Sequence, residues 1–241
     1  MNDFTFQGPL GVIECIVEKN RSVANTVLVM AHGFRGSRDS GGRAAGVAYQ
    51  AAAYASVVRF NFTGTQIISK QVSELHAVLC EVRKRAPGCK VFLLGRSLGG
   101  AASIITAAQD KNLAGLILWA TPNNLRATFR HVMTDEYYER LDKGETLHFT
   151  DERGECALTP DFLTDFDNYD LSALLKDEIS CPVLLLHCEG DDTVLVEQAK
   201  RNAQILGNQC ELHLFAAGDH SFSDYSEAAG ELLAQWIGKV V

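Results

Sequence analysis

Short apolar runs alternate with longer amphipathic stretches along most of the chain. The runs are β-branched or Leu-rich and are bounded by Gly, Pro or polar residues, a pattern that predicts strands buried on both faces. They occupy 26–33, 56–62, 90–95, 113–120, 181–187 and 210–218. Helical patterns between them cover 40–54, 66–85, 98–109, 194–206 and 223–239. Strands that alternate with helices predict an α/β fold, with a mostly parallel central sheet and helices on both faces.

Two segments depart from this alternation. Residues 4–19 ("FTFQGPLGVIECIVEK") predict two strands joined by a Gly-Pro turn, an antiparallel hairpin at the sheet edge. Residues 123–179 contain no strong central strand and are rich in charged and aromatic residues. A structureless loop of that length is uncommon, so we expect helices and a hairpin there, with a turn at Glu152–Gly154.

The segment 123–179 follows the carboxyl end of a predicted strand, and that end of an open α/β sheet is where ligands bind. We therefore predict that it is a small cap insertion over a site, within a single domain of residues 1–241. A surface insertion without a functional role is the alternative interpretation.

Composition narrows the classes of function. The 241 residues are 46% hydrophobic and 22% charged, with a formal net charge of −8. This acidic balance argues against nucleic-acid binding, which usually shows a basic face. No apolar run is long enough to span a bilayer, and the first residues lack a basic signal-peptide region, so we predict no membrane association. Scattered cysteines, odd in number and without a CxxC pair, favour a reduced protein in the cytoplasm.

The stretch "KVFLLGRSLGGAAS", residues 90–103, carries the strongest chemical signal. It places Ser97 at a sharp turn between a buried strand and a helix, with small residues at Gly95 and Gly99. This is the G-x-S-x-G pattern, which exposes a serine hydroxyl as a nucleophile. A glycine-rich helix start with a capping serine is the alternative interpretation.

A serine nucleophile needs a base and an acid that orients the base. His220, in the loop after the last predicted strand, has the required chain order Ser…Asp…His. The acid is expected after the strand 181–187, where Asp191 and Asp192 are adjacent. We favour Asp191 and keep Asp192 as the alternative.

The oxyanion formed by attack needs backbone N–H donors. One is expected from Leu98, the residue after the nucleophile, and the other from the loop after the first central strand, where Phe34 fits by position. His32 is then architectural. This chemistry needs no cofactor and no metal, and the sequence has no paired-cysteine or HExxH spacing.

The motifs "HGF" (32–34), "GRSLG" (95–99), "HCEGDDTV" (187–194) and "GDHSF" (218–222) resemble the α/β-hydrolase superfamily over nearly the whole chain. The resemblance is greatest to small bacterial feruloyl and cinnamoyl esterases. It implies the α/β-hydrolase fold, the triad Ser97, Asp191 and His220, and a cap that binds an aromatic acyl group. Cys188 stands where the family usually has glycine, Arg96 precedes the serine, and "NFTGTQIIS" departs from the family's turn.

The leading hypothesis is a cofactor-free serine hydrolase that cleaves a small-molecule carboxylic ester. A thioesterase or peptidase with the same triad is the first alternative, and a non-catalytic binding protein of the same fold is the second. The oligomeric state stays open, with a homodimer as one candidate. The aromatic residues of the cap could line an acyl pocket or form the cap's own small core, and we expect the second role for most of them. The seven residues are Phe129, Tyr137, Tyr138, Phe149, Phe162, Phe166 and Tyr169.

Overall fold

The computed structural model describes residues 1–22, 25–151 and 154–241. Its strands are β1 (Phe4–Gln7), β2 (Val12–Glu18), β3 (Thr26–Ala31), β4 (Ser56–Phe60), β5 (Lys90–Arg96), β6 (Gly115–Trp119), β7 (Leu147–Asp151), β8 (Gly154–Leu158), β9 (Val183–Cys188) and β10 (Cys210–Phe215). Its α-helices are α1 (Arg43–Ala51), α2 (Ile68–Arg85), α3 (Leu98–Gln109), α4 (Leu125–Val132), α5 (Asp135–Asp142), α6 (Asp161–Thr164), α7 (Leu171–Asp177), α8 (Val196–Leu206) and α9 (Ser226–Val240). None of these helices is long and apolar enough to cross a membrane.

The central sheet has the strand order β1-β2-β4-β3-β5-β6-β9-β10. From β4 to β10 neighbouring strands are parallel, whereas β2 pairs antiparallel with both β1 and β4. The predicted fold class and edge hairpin are therefore confirmed. The chain leaves β3 toward β4 on one side and returns to β5 on the other. This reversal opens a crevice at the carboxyl ends of β3 and β5, the usual ligand position in such sheets.

The central strands β3, β6 and β9 are buried on both faces, with successive side chains pointing to opposite sides of the sheet. The last strand, β10, was predicted to be buried as well, but it lies at the sheet edge and is partly exposed. In β3, Val27 and Val29 belong to one apolar cluster, together with α2 and α3. Leu28 and Met30 belong to the cluster on the other face, with α1 and α9. This two-sided burial explains why the central strands are continuous apolar runs rather than alternating patterns.

Element boundaries differ from the sequence prediction where the backbone turns. The last strand ends at Phe215 rather than at residue 218, because Ala217 and Gly218 take positive φ angles of 57° and 59°. The first predicted helix begins as a 3₁₀ turn at Ser40–Gly42 and becomes α-helical only at Arg43. Both corrections lie in segments that border the crevice.

Residues 123–179, hereafter the cap segment, fold as α4, α5, the hairpin β7–β8, α6 and α7, as the length of the segment predicts. The predicted turn at Glu152–Gly154 lies outside the described residues at 152 and 153. Aromatic rings hold the segment to the core loops. Phe129 stacks on Phe166 at 5.4 Å and meets Phe34 edge-on at the same centroid distance.

Candidate active site

Ser97 lies between β5 and α3 in a backbone conformation that side chains rarely adopt. Its φ is 54° and its ψ is −123°, outside both the helical and the extended regions. The Ser97 N–H donates to the Trp119 carbonyl at 2.9 Å, and its carbonyl accepts from Gly100 at 2.8 Å. Such strain costs about 1–3 kcal/mol and persists only where the surroundings enforce it, most often at functional sites.

The glycines beside Ser97 are required by close backbone approach. A Cβ on Gly99 would collide with the His32 carbonyl, and a Cβ on Gly95 would collide with the Gly99 carbonyl and the Ser103 hydroxyl. Gly33 approaches from β3, and a Cβ there would lie 2.9 Å from that of Ser97. The turn therefore packs against the loop after β3 with no space for larger residues.

Asp191 and His220 meet at the carboxyl ends of β9 and β10. His220 Nδ1 lies 2.8 Å from Asp191 Oδ2, and the carboxylate is fully buried. The other carboxylate oxygen accepts the backbone N–H groups of Thr193 and Val194 at 2.9 and 2.8 Å. Burial alone would raise the pKa of Asp191, but the hydrogen bond and charge of His220 outweigh it and hold this pKa below its ordinary value.

Asp192 takes no part in this contact. Its side chain is exposed, with a 3.3 Å contact from the Thr193 hydroxyl, and its carbonyl accepts from His131. The geometry thus brings Asp191, rather than Asp192, to the histidine. With Nδ1 bound to Asp191, His220 presents Nε2 as its second ring nitrogen.

His187 also lies next to Asp191, a contact that the sequence analysis did not predict. Its Nε2 lies 2.7 Å from the Val194 carbonyl, which can only accept, so this nitrogen carries the proton. The same nitrogen is 3.4 Å from Asp191 Oδ2. Burial lowers the pKa of His187, which favours the neutral ring. Asp191 is therefore flanked by two imidazole rings, one buried and one at the site.

Cys188 occupies the position where glycine was expected, and Gly218 makes room for it. A Cβ at Gly218 would lie 2.7 Å from the Cys188 sulfur. The Gly190 N–H donates to the Ala217 carbonyl, so the β9 and β10 loops are joined directly. Burial raises the pKa of the Cys188 thiol to about 12, so this residue is a neutral packing group.

The loop after β3 carries Phe34 beside the Ser97 turn. His32 fixes this loop: its Nδ1–H donates to the Gly33 carbonyl at 2.9 Å, and its Nε2 accepts the Phe62 N–H at 3.2 Å. Burial lowers the pKa of His32, which favours the neutral ring. A neutral ring has one donor nitrogen and one acceptor nitrogen, in agreement with these two hydrogen bonds. In the part of the chain that the structure describes, the backbone N–H groups of Phe34 and Leu98 donate to no protein acceptor.

A cleft of about 950 Å³ lies over these groups, and Ser97, Leu98, Phe34 and His220 all line it. The cap segment supplies one wall of the cleft, with the apolar residues Phe129 and Val132 from α4 and its C-terminal end, and with Glu155, Cys156 and Ala157 from β8. Of the seven cap aromatics singled out in the sequence, Phe129 lines the cleft, whereas Tyr138, Phe162 and Phe166 are buried in the segment's own packing.

The cleft is also lined by three arginines that the sequence analysis did not predict there: Arg35, Arg43 and Arg96. Arg96 Nη2 donates to the His220 carbonyl at 2.9 Å, a contact across 124 residues. Arg35 Nη2 donates to the Gly154 carbonyl at 2.9 Å and so connects the loop after β3 to the cap hairpin. For Arg96, its position directly before Ser97 was the one feature of the sequence that could have predicted a place in the cleft. Among the described residues, no group of three or more His, Cys, Asp or Glu side chains is arranged to hold a metal.

Comparison of the whole architecture with solved structures decides the fold. Est1E from Butyrivibrio proteoclasticus superimposes with a TM-score of 0.83 at 15% sequence identity, over 100% of this chain and 99% of that one. The chain has the α/β-hydrolase fold. The esterase domain of a Rhodothermus marinus protein matches at a TM-score of 0.79 and 20% identity, covering 100% of this chain and 99% of that one.

XC6422 from Xanthomonas campestris, described as an α/β serine hydrolase without a lid, matches at a TM-score of 0.72 and 17% identity over 98% of this chain and 93% of that one. No protein-family model and no curated protein matches the sequence. The α/β-hydrolase fold is therefore carried here by a sequence far from those of its structural neighbours.

Proposed function

We propose that this chain is a serine hydrolase that cleaves carboxylic esters through an acyl-enzyme intermediate. The observation that carries the proposal is the joint placement of a strained Ser97 and an Asp191-bound His220 on one cleft. Similarity in fold to esterases and serine hydrolases supports the same class of reaction. Residues 123–179 act as a cap on a single catalytic domain in this proposal.

In the first half of the reaction, Ser97 Oγ attacks the ester carbonyl and its proton passes to His220 Nε2. Asp191 holds the imidazole by Nδ1 and stabilises the imidazolium that forms. The developing negative charge on the carbonyl oxygen is placed against the N–H groups of Phe34 and Leu98. His220 then returns the proton to the leaving alcohol oxygen.

In the second half, water replaces the alcohol. His220 takes a proton from the water, the hydroxide attacks the acyl carbonyl, and the bond to Ser97 Oγ breaks as His220 reprotonates that oxygen. The carboxylic acid leaves and the free serine is restored, so no cofactor is consumed. The scattered, unpaired cysteines of the sequence support the cytoplasm as the place of this activity.

The acyl group is proposed to be aromatic, of the hydroxycinnamate type. Phe34, Phe129 and Val132 give the cleft an apolar wall suited to a planar ring. One of the structural neighbours, Est1E, is known with ferulic acid bound, which supports this class of acyl group for a cleft of the same fold.

Two measurements test the proposal. Reaction with a fluorophosphonate probe distinguishes a hydrolase from a non-catalytic binding protein, since only an activated serine is labelled. We expect one label, on Ser97, and its loss in Ser97→Ala. A panel of matched aryl esters, thioesters and peptide amides then separates the three hydrolase classes. Faster hydrolysis of thioester or amide than of ester would contradict the ester assignment.

A further inference from the structure

Five residues lie where the main cleft adjoins a second, small cavity of about 40 Å³. All five line both spaces and are arginines or serines. We name them the basic recess: Ser37, Ser40, Arg43, Arg96 and Ser221. The recess includes Ser221, the residue after His220, and none of its five residues belongs to the cap segment.

The recess is rich in positive charge, although the chain as a whole carries −8. Within the described ranges, no carboxylate oxygen lies within 4.0 Å of the Arg43 guanidinium. Hydrogen bonds from the Ser223 N–H and hydroxyl, at 2.8 and 2.7 Å, and the charge of Arg43 lower the pKa of Asp219, so this carboxylate already interacts with Arg43 through its charge. Glu155 also lines the cleft, from the cap hairpin.

A buried hydrogen-bond donor, the indole N–H of Trp119, belongs to a residue that lines the same small cavity. Trp119 lines the small cavity and is only 4% exposed. Its indole Nε1–H is buried and has no hydrogen-bond acceptor in the part of the chain that the structure describes. Buried donors are nearly always paired, so an unpaired one beside a cavity indicates a missing acceptor. The polar groups that border this space, guanidinium, hydroxyl and indole N–H, are suited to anionic oxygens, whereas Met30, Ala31 and Leu94 give the inner part of the cavity an apolar lining.

The chemistry of the reaction places the recess on the alcohol side of the substrate. His220 must protonate the leaving oxygen, so the leaving group lies next to His220. Ser221 directly follows His220, and Arg96 binds the His220 carbonyl at 2.9 Å. We propose that the basic recess binds an anionic group on the alcohol part of the ester. This inference rests on the proposed function and names its substrate class.

The test compares two nearly isosteric esters, 3-carboxyphenyl acetate and 3-carbamoylphenyl acetate, which differ in one negative charge. Phenyl hemisuccinate and phenyl succinamate place the same difference on the acyl side. We measure kcat/KM for wild type, Arg43→Gln and a control, Arg85→Gln. Arg85 ends α2, lies 4.3 Å over the Phe4 ring of edge strand β1 and is paired with Glu81, and it lines neither the cleft nor the small cavity.

Wild type is expected to prefer the anionic alcohol by about 10-fold or more, and Arg43→Gln to lose that preference, because one charge-assisted hydrogen bond is removed. Arg85→Gln should keep it and should hydrolyse both esters at the wild-type rate. Equal kcat/KM for the two alcohol esters in wild type would overturn the proposal. A preference found only in the acyl-side pair would overturn it as well.

Binding of the product alcohols gives a readout that does not need hydrolysis. By calorimetry, 3-hydroxybenzoate should bind wild type at least about 10-fold more tightly than 3-hydroxybenzamide, and Arg43→Gln should bind both equally. If no ester is cleaved but this difference holds, the hydrolase assignment fails while the anion site stands. If esters are cleaved but the two alcohols bind equally, the anion site fails alone.

Discussion

The strand-end loops and the cap segment border the same cleft but are held in place in different ways. The loops are fixed by backbone hydrogen bonds, buried side chains and contacts that only glycine permits, as at Gly95 and Gly99. The cap segment is held by an aromatic cluster and by ion pairs such as those of Arg126 with Asp142 and Asp167, both carboxylates being more than half exposed. We expect the loops to determine the chemistry and the cap segment to adjust the choice of substrate.

The largest effect is expected at the centre of the loops. Ser97→Ala should reduce kcat for a simple aryl ester by about 10⁴–10⁶, because both the nucleophile and the acyl-enzyme are lost. Ser73→Ala, an exposed serine on α2, is the matched control and should keep full activity. More than a tenth of the wild-type kcat in purified Ser97→Ala, with an unchanged melting temperature, would refute the assignment.

The two adjacent aspartates give the next largest difference. Asp191→Asn should reduce kcat by about 10⁴, since an amide favours the wrong histidine tautomer, as measured for the equivalent change in another triad enzyme. Asp192→Asn removes an exposed carboxylate and should cost less than about twofold. Steady-state kinetics on both variants decide the matter, and the reverse order would mean that Asp192 is the acid.

Glycine substitutions test the packing of the loops through stability. Gly99→Ala places a methyl group against the carbonyls of His32 and Ala31, which cannot move aside, and should lower the free energy of unfolding by about 1–3 kcal/mol or more. Gly46→Ala is the matched control, because a Cβ there meets nothing within 4 Å in the middle of α1. It should raise stability by roughly 0.5–1 kcal/mol. Urea unfolding measures both, and equal signs would contradict this account of the loops.

Selectivity is the property expected to change in the cap segment. Phe129→Leu should shift the kcat/KM ratio of bulky aromatic to acetyl esters by roughly 10-fold, because an apolar contact in a pocket is worth about 1–3 kcal/mol. Tyr137→Leu is the control: Tyr137 is 52% exposed and does not line the cleft. If both variants leave the ratio unchanged, this part of the cap segment does not contact the acyl group.

The smallest effect is expected for an ion pair of the cap segment. Hydrogen bonding to Arg126 holds the pKa of Asp167 below its ordinary value. This pair therefore stabilises the fold at pH above about 4, and its contribution is lost as the pH falls through the depressed pKa. Asp167→Asn should cost under about 1 kcal/mol near pH 7, because the carboxylate is 56% exposed.

This cost should stay constant from about pH 8 to 5 and shrink at high salt and below about pH 4. Asp177→Asn, an exposed change in α7, serves as the control for net charge. Urea midpoints across this pH range measure the difference. A cost that grows on acidification would contradict the assigned direction of the pKa.

The difference between the strand-end loops and the cap segment also explains which features could be predicted from the sequence. The strands, the helices of the core and the positions of Ser97, Asp191 and His220 follow from local patterns, because each residue lies in the turn or loop that follows a strand of the sheet. His187 and Arg35 did not emerge, since their contacts join loops far apart in the chain. The cleft-facing role of Phe129 was equally hidden, because exposed and buried aromatics of the cap segment look alike without its tertiary packing.

The most direct test of the central claim is to trap the acyl-enzyme. Protein mixed with 4-nitrophenyl acetate and quenched in acid within the first turnover is digested and examined by mass spectrometry. We predict one acetyl group, carried by the peptide that contains Ser97, and more of it in Asp191→Asn if deacylation slows more than acylation. Hydrolysis that proceeds with the acetyl group on a residue other than Ser97, in the wild type or in Asp191→Asn, would contradict Ser97 as the nucleophile.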